Sequence, residues 1–311
     1  MLKQVLDVME ALDSPRAGGE AFAELLRQVN PGIRPEVRGV TGESGSTDFV
    51  KVTIPGRTGR LGGMSAPTLG IIGRLGGIGA RPAELGLVSD ADGAIAALAA
   101  ALKLAGMHRQ GEAPEGDVIC ATHICSDAPV TPHHPVPFMG SPVSMEIKNA
   151  HEVDPAMGGI LSIDTTRGNQ ILNHKGVAIT GTVVQGWLLE PSEDLLRVLA
   201  WVTGRPPQVL ALSMADITPY GNGVRHINSI LQPSTATSAP VVGVAISSET
   251  VVPGSATGVC DEADIAQAAR FAVEVAKGYG RGRVTFFDAG ALSELKRRYG
   301  EMHHLQTLGN P

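Results

Sequence analysis

"TLGIIGRLGGIGARPAELGLVSDADGAIAALAAALKLAG", residues 68 to 106, decides the fold. It opens on the short apolar run TLGIIG, breaks into a glycine-rich loop, returns to LGLV, turns at SDADG and enters an alanine-rich helix over 93 to 105. A short apolar run bounded by glycines suits a strand buried on both faces, and a strand followed by a helix is the unit that builds parallel sheets. The alternation continues downstream. VICATHI (118 to 124), ILSID (160 to 164), VLALSM (209 to 214) and VVGVAI (241 to 246) read as strands, and EADIAQAARFAVEVAKGY (262 to 279) reads as an amphipathic helix with an acid-rich start. The class is α/β, and the expected layout is a three-layer αβα sandwich around a mostly parallel central sheet.

Upstream, LKQVLDVMEAL and EAFAELLRQV repeat apolar residues at spacings of three and four around the turn DSPRAGG, so residues 1 to 30 form a helical segment. The prolines of NPGIRPEV end it, and DFVKVTI then alternates with the period of a strand. Neither an internal repeat nor a long linker divides the chain, so one domain is expected over residues 1 to 311. The least regular stretch is SDAPVTPHHPVPFMGSPV, residues 126 to 143, with five prolines and two histidines, His133 and His134. It reads either as a functional loop or as a rigid surface excursion.

Composition narrows the partners. A net charge of −6 and 4% aromatic residues argue against binding to nucleic acid. The apolar stretches are too short or too alanine-rich to span a bilayer, and the N-terminus carries no secretory pattern, so a cytoplasmic protein without a membrane partner is expected. The three cysteines, Cys120, Cys125 and Cys260, cannot all pair and form no C-x-x-C, which makes them buried hydrophobes by default.

Ligands of open α/β sheets bind beyond the carboxyl ends of the strands. At those ends stand Arg74, Asp90, His123, Asp164, Asp216 and, after VVGVAI, Ser247, Ser248 and Glu249. Each alone is a common cap or turn former, but neighbouring carboxylates repel unless a metal, a shared proton or an arginine intervenes. Two-residue alternation puts His123 and Cys125 on one face of their strand and Cys120 on the other. His123 suits a metal ligand or a general base. The loop GRLGGIGARP lacks the P-loop lysine, but its amides with Arg74 and Arg81 suit a substrate carboxylate. His226 opens a hydroxyl-rich stretch and joins the candidates, whereas the absence of G-x-S-x-G disfavours an ordinary serine hydrolase.

TPYGNGVRHINSILQPSTATSAPVVGVAI, GRLGGIGARP and the C-terminal HLQTLGNP resemble the prokaryotic family catalogued as domain of unknown function 1177. A more distant resemblance speaks to chemistry. FVKVTIPG, APTLGIIGRLGG and GLVSDADGAIAALAAALKLA follow one another as in the co-catalytic zinc aminopeptidases, where a strand ending in His-x-Asp precedes an Asp-containing turn that opens a helix. At the His-x-Asp position this chain has Arg74 and Gly76, at the paired glutamates Thr122 and His123, and near the last histidine Ser255. Asp90, with Asp92 as the alternative, remains at the bridging position, and Asp164 at the further acidic one. The usual two-zinc site therefore cannot be assembled.

The resemblance implies a hydrolase of a small peptide-like or other amide-bearing substrate. Asp90, Asp164 and His123 would hold one divalent metal, zinc or manganese; His123 and Glu249 would be catalytic; and Arg74, Arg81 and His226 would bind substrate. Alternatives are a metal-free acid/base isomerase or racemase, and a noncatalytic binding or assembly protein on the same scaffold. A homo-oligomer is expected on general grounds. In SDADG, Asp92 suits the helix cap and Asp90 the site.

Overall fold

The computed structural model describes residues 1–14, 17–74, 87–126, 128–131, 138–166, 168, 170–171, 173–250 and 261–310. In chain order the elements are α1 (Leu2–Leu12), α2 (Gly19–Val29), β1 (Glu36–Gly42), β2 (Gly45–Ile54), β3 (Thr68–Gly73), α3 (Asp92–Arg109) and β4 (Val118–Ile124). There follow β5 (Val130–Thr131), β6 (Phe138–Met139), α4 (Met145–Glu152), β7 (Met157–Thr166), β8 (Gly176–Val184) and β9 (Trp187–Leu189). The chain continues through α5 (Glu193–Thr203), β10 (Gln208–Val209), β11 (Val241–Ser247), α6 (Glu262–Tyr279) and α7 (Ala289–Tyr299).

The main sheet runs β1-β2-β4-β3-β7-β11-β8-β10, with β9 on β8. Its middle, β4-β3-β7-β11, is parallel, and each of these strands is almost wholly buried. The expectation of a mostly parallel sheet fails at both flanks. β2 runs antiparallel to β1 and β4, and β8 antiparallel to β11 and β9. The β1–β2 link leaves only residues 43 and 44 between the strands and enters β2 at Gly45 with φ 136°, a hairpin that imposes antiparallel pairing.

One face of the sheet is covered by helices. α3 is buried almost all round, as a helix with apolar residues on every side must be, and its alanines let α1, α6 and the strands approach closely. Val5, Leu26, Ile71, Leu161, Val244 and Phe271 belong to this larger core. The opposite face carries a smaller core around Ile160, Ala178, Ile217 and Ile230. The expected second helical layer is there reduced to the eight-residue α4 and the 3-10 turns Ala215–Ile217 and Gln232–Ala236.

VLALSM, expected as a strand, contributes only Val209 to β10, after which Leu210 N donates to Ile179 O. The Asp216 carboxylate explains the departure: it accepts from Ser213 N and Ser213 Oγ, both at 2.8 Å, and from the amides of Ile227 and Asn228. The stretch 213 to 228 is thus folded around one buried acid rather than along the sheet. The proline-rich stretch lies partly outside the described residues; its flanks form the short β5–β6 ladder.

Two glycines bring the future site together. A Cβ on Gly73 would stand 2.5 Å from Gly93 O, and one on Gly93 would stand 2.5 Å from Ile163 O and 2.8 Å from Arg74 O. The start of α3 is pressed onto the ends of β3 and β7 with no room for a side chain. Among the described residues, no helix is long and apolar enough to cross a membrane.

Candidate functional site

At the carboxyl ends of β3, β4 and β7, on the face opposite α3, charged side chains are buried together. Arg74 follows β3 and is fully buried; its backbone N donates to Ile163 O at 2.7 Å. Its Nη1 reaches Glu152 Oε2 at 2.5 Å and Asn149 Oδ1 at 3.2 Å, and Nη2 reaches Met145 Sδ. Glu152 is equally buried, and its other oxygen, Oε1, lies 2.6 Å from His123 Nδ1. The result is a continuous Arg74–Glu152–His123 array, with Glu152 and Asn149 delivered by α4 and the other two residues by strands. Lys148, also on α4, is 3% exposed.

Asp164, near the end of β7, is 2% exposed and accepts from Ser229 Oγ at 2.8 Å through Oδ2. The Tyr220 hydroxyl hydrogen-bonds the Ser229 side chain in turn. Ser162, Asp164 and Thr166 are two residues apart on β7 and so share one face, and Ser247 of β11 stands beside Thr166 in register. Among the described residues, Asp164 Oδ1, Arg74 Nε and the hydroxyls of Ser162, Thr166 and Ser247 are buried without a hydrogen-bond partner. A cleft of about 460 Å³ opens along the outer side of α4, lined by Asn149, Tyr220 and Gln232 among others. Asn149 contacts Arg74, and Tyr220 contacts the serine bonded to Asp164.

Burial sets the protonation states. Desolvation lifts Asp164 to about 7, assisted by the nearby Asp90 charge and opposed by Ser229 and Arg74. Desolvation and the Arg74 cation lower Lys148 to about 8, against the pull of Glu152 and Asp164. Burial alone would raise Glu152, but the Arg74 and Lys148 charges and the hydrogen bond from His123 hold it below the ordinary glutamate value. Burial, joined by the Lys148 and Arg74 charges, lowers His123 against the pull of Glu152. A neutral His123 therefore donates from Nδ1 to an ionised Glu152 and carries its lone pair on Nε2. Asp164 and Lys148, whose charges act on one another, are both brought toward neutral pH, the acid from below and the amine from above.

The sequence profile of the family described as "Protein of unknown function (DUF1177)" matches residues 38–309. The chain belongs to the DUF1177 family. No curated protein matches it.

In this DUF1177 chain, Arg74, His123 and Asp164 meet at one rim, and Asp90 is near enough for its charge to act on Asp164. Arg74 has spent both terminal nitrogens on α4, so of the substrate anchor expected from the sequence only Nε remains uncommitted among the described residues. His226 sits outside the cluster, its ring 4.5 Å from that of Tyr220 and its Nε2 3.0 Å from Thr218 O. Glu249 lies exposed beyond β11, where its charge acts on Lys175. Arg81, His133, His134, Ser255 and Gly76 lie outside the described residues. Asp92 is not the helix cap: it is the first residue of α3, fully buried, and the N-cap is Ala91. Cys120 packs in the helix-side core with its thiol pushed up to about 12 by burial, as an inert hydrophobe requires.

The metal expected from the aminopeptidase resemblance does not fit the described residues. No three His, Cys, Asp or Glu side chains among them come together as a ligand set, and the buried cations Arg74 and Lys148 stand beside the carboxylates instead.

Besides Ser229 and Tyr220, sequence reading misses Lys148, Asn149 and Glu152, the last three all from α4. Ser144 caps this helix, its Oγ accepting from Ile147 N at 3.3 Å. Its buried residues are those three polar ones, while Ile147 is 36% exposed. An inverted helix of this kind gives no hydrophobic periodicity; its signal is the serine cap followed by Lys148 and Glu152 one turn apart.

Proposed function

We propose that this protein is an acid/base enzyme that needs no metal and moves a proton on a small carboxylate-bearing or carbonyl-bearing metabolite, as an isomerase or racemase does. The observation that carries the reading is the buried Asp164, one oxygen held by Ser229, lying within reach of the charge of a buried Arg74 that is itself held by Glu152 and Asn149. Buried polar atoms without partners each cost roughly 1–3 kcal/mol, so Asp164 Oδ1, Arg74 Nε and the three hydroxyls beside them suit a polar ligand. Asp164 takes the proton from carbon, the Lys148 ammonium returns one, and the Arg74 charge stabilises the anionic intermediate.

The experiment is solvent-deuterium exchange. Purified protein in deuterium oxide is incubated with a panel of 2-amino and 2-hydroxy acids and their amides, and incorporation at carbon is read by proton NMR. Exchange that disappears in Asp164→Asn supports the proposal, and hydrolysis without exchange overturns it.

A second reading is the amide hydrolase with one divalent metal; Asp90, Asp164 and His123 do not stand as a ligand set in this structure, so the metal would have to draw them together. It is favoured by the order of β2, β3, the turn at Ser89–Ala91 and α3, and by the proximity of Asp90 to Asp164. Metal analysis of the purified protein, together with the effect of chelators on amide cleavage, separates the two readings. Assembly into a homo-oligomer is part of the proposal and is checked by light scattering.

A further inference from the structure

On the helix-covered side of the sheet, away from Asp164, α5 and α6 with the turn after α6 enclose a cleft of about 620 Å³. Its wall carries Arg197, Arg270, Lys277, Arg281 and Arg283 against a single acid, Glu274. In a chain of net charge −6 this is a strong local reversal of sign. Arg197 pairs with Asp194, and Lys277 with Glu274 at 2.6 Å. Among the described residues, Arg270, Arg281 and Arg283 form no ion pair, although all three are exposed. Lys103 and Arg57 extend the basic surface through a neighbouring hollow that shares Lys277 and Arg281.

The same cleft holds Trp201, 73% exposed, with the Arg197 guanidinium 5.8 Å from its ring centroid. Helix packing does not account for it: α5 buries Leu195, Val198 and Leu199 and turns Trp201 outward. Clustered cations repel one another, and an exposed indole leaves a large apolar face in water. A ligand with several negative charges at one end and a flat aromatic ring at the other relieves both. The cleft volume falls within the roughly 300–1,000 Å³ typical of small-molecule sites, and its concavity suits a compact ligand better than an extended chain.

We propose that this cleft binds a nucleotide, with the phosphates on Arg270, Arg281 and Arg283 and the base stacked on Trp201. Because the cleft and the Asp164 cluster lie on opposite sides of the sheet, the nucleotide acts as an effector and not as a reactant. The inference stands whether or not the acid/base reading holds.

The test is a titration of the full chain with ADP at low ionic strength, read by tryptophan fluorescence and by calorimetry. Saturable binding is expected, with quenching of Trp201 that vanishes in Trp201→Phe. The double variant Arg281→Ala/Arg283→Ala should bind at least about tenfold more weakly, as loss of charge-assisted contacts to phosphate requires, with an unchanged circular-dichroism spectrum. Added salt should weaken binding in the parent. Absence of saturable binding at millimolar ADP overturns the proposal, as does unaltered affinity in the double variant. Pyrophosphate binding as tightly as ADP, with no effect of Trp201→Phe on ADP affinity, removes the base from the site and overturns the nucleotide. Binding of polyglutamate or single-stranded DNA in place of ADP overturns it in favour of a macromolecular partner.

Discussion

Replacing Asp164 with Asn should make the protein more stable relative to the parent as pH rises from about 4.5 to 7.5, because the substitution removes a charge that the fold resists. In the unfolded chain the carboxyl titrates at its ordinary 3.8, and in the folded protein burial moves it to about 7. Below the lower value both states carry the proton and Asp164 contributes no pH dependence. Between the two values the unfolded chain has released its proton while the folded chain holds it, so folding stability falls by up to about 1.36 kcal/mol for each pH unit. Above the upper value the loss is complete and constant. The interval corresponds to roughly 4 kcal/mol, or on the order of 5–10 °C in Tm for a chain of this size. Asn cannot ionise, yet it keeps the shape and an oxygen for Ser229. Any fixed cost of the amide shifts the whole curve without changing its slope. The assay is urea unfolding of both proteins at half-unit steps across that window, kept below the region where Lys148, lowered to about 8, begins to lose its proton. The difference in unfolding free energy should grow with pH and level off near 7. A difference that is flat with pH would refute the buried, proton-holding Asp164.

Two further substitutions test the scaffold around it. Glu152→Gln leaves the buried Arg74 without its counter-charge and should cost roughly 3–5 kcal/mol in chemical denaturation, with Arg74→Met added in the same chain recovering much of the loss. Gly93→Ala drives a methyl onto the carbonyls of Ile163 and Arg74, which are backbone and cannot swing away; a cost of roughly 1–3 kcal/mol is expected, whereas Gly62→Ala, at a position with open space, should be near neutral by the same assay.

Much of the framework can be read from residues 68 to 106. The apolar run is β3, the SDADG turn is the 3-10 turn into α3, and the helix follows where the alanines begin, because each of these features is local. Alternation in VICATHI likewise places Cys120 in the helix-side core and His123 toward Glu152. What local pattern cannot supply is pairing: β8, a run broken by glycine and threonine, becomes a central partner of β11 only through long-range hydrogen bonds. The site divides in the same way. Arg74, His123 and Asp164 are legible because they end strands. Lys148, Asn149 and Glu152 are not, because the helix that carries them buries its polar side and leaves no apolar stripe.

That inversion also bears on why the cluster exists. A buried Arg–Glu pair with a histidine and a lysine beside it is an expensive way to fill space, and apolar residues of similar volume would hold α4 against the sheet at least as well. Packing therefore gives no reason for Arg74, His123, Lys148 and Glu152 to occupy the centre of that contact. Chemistry does. Glu152 fixes both the Arg74 charge and the His123 tautomer through its two oxygens, at 2.5 and 2.6 Å, so a single helix sets the electrostatic state of two strand ends at once. Asp164 lies outside this locked array, bonded to a serine and not to a cation, and burial lifts it to about 7. On the proposed reading, a rigid charged frame beside one carboxyl that titrates near neutrality divides the labour of proton transfer: the frame would stabilise charge without reorganising, and the carboxyl would move the proton.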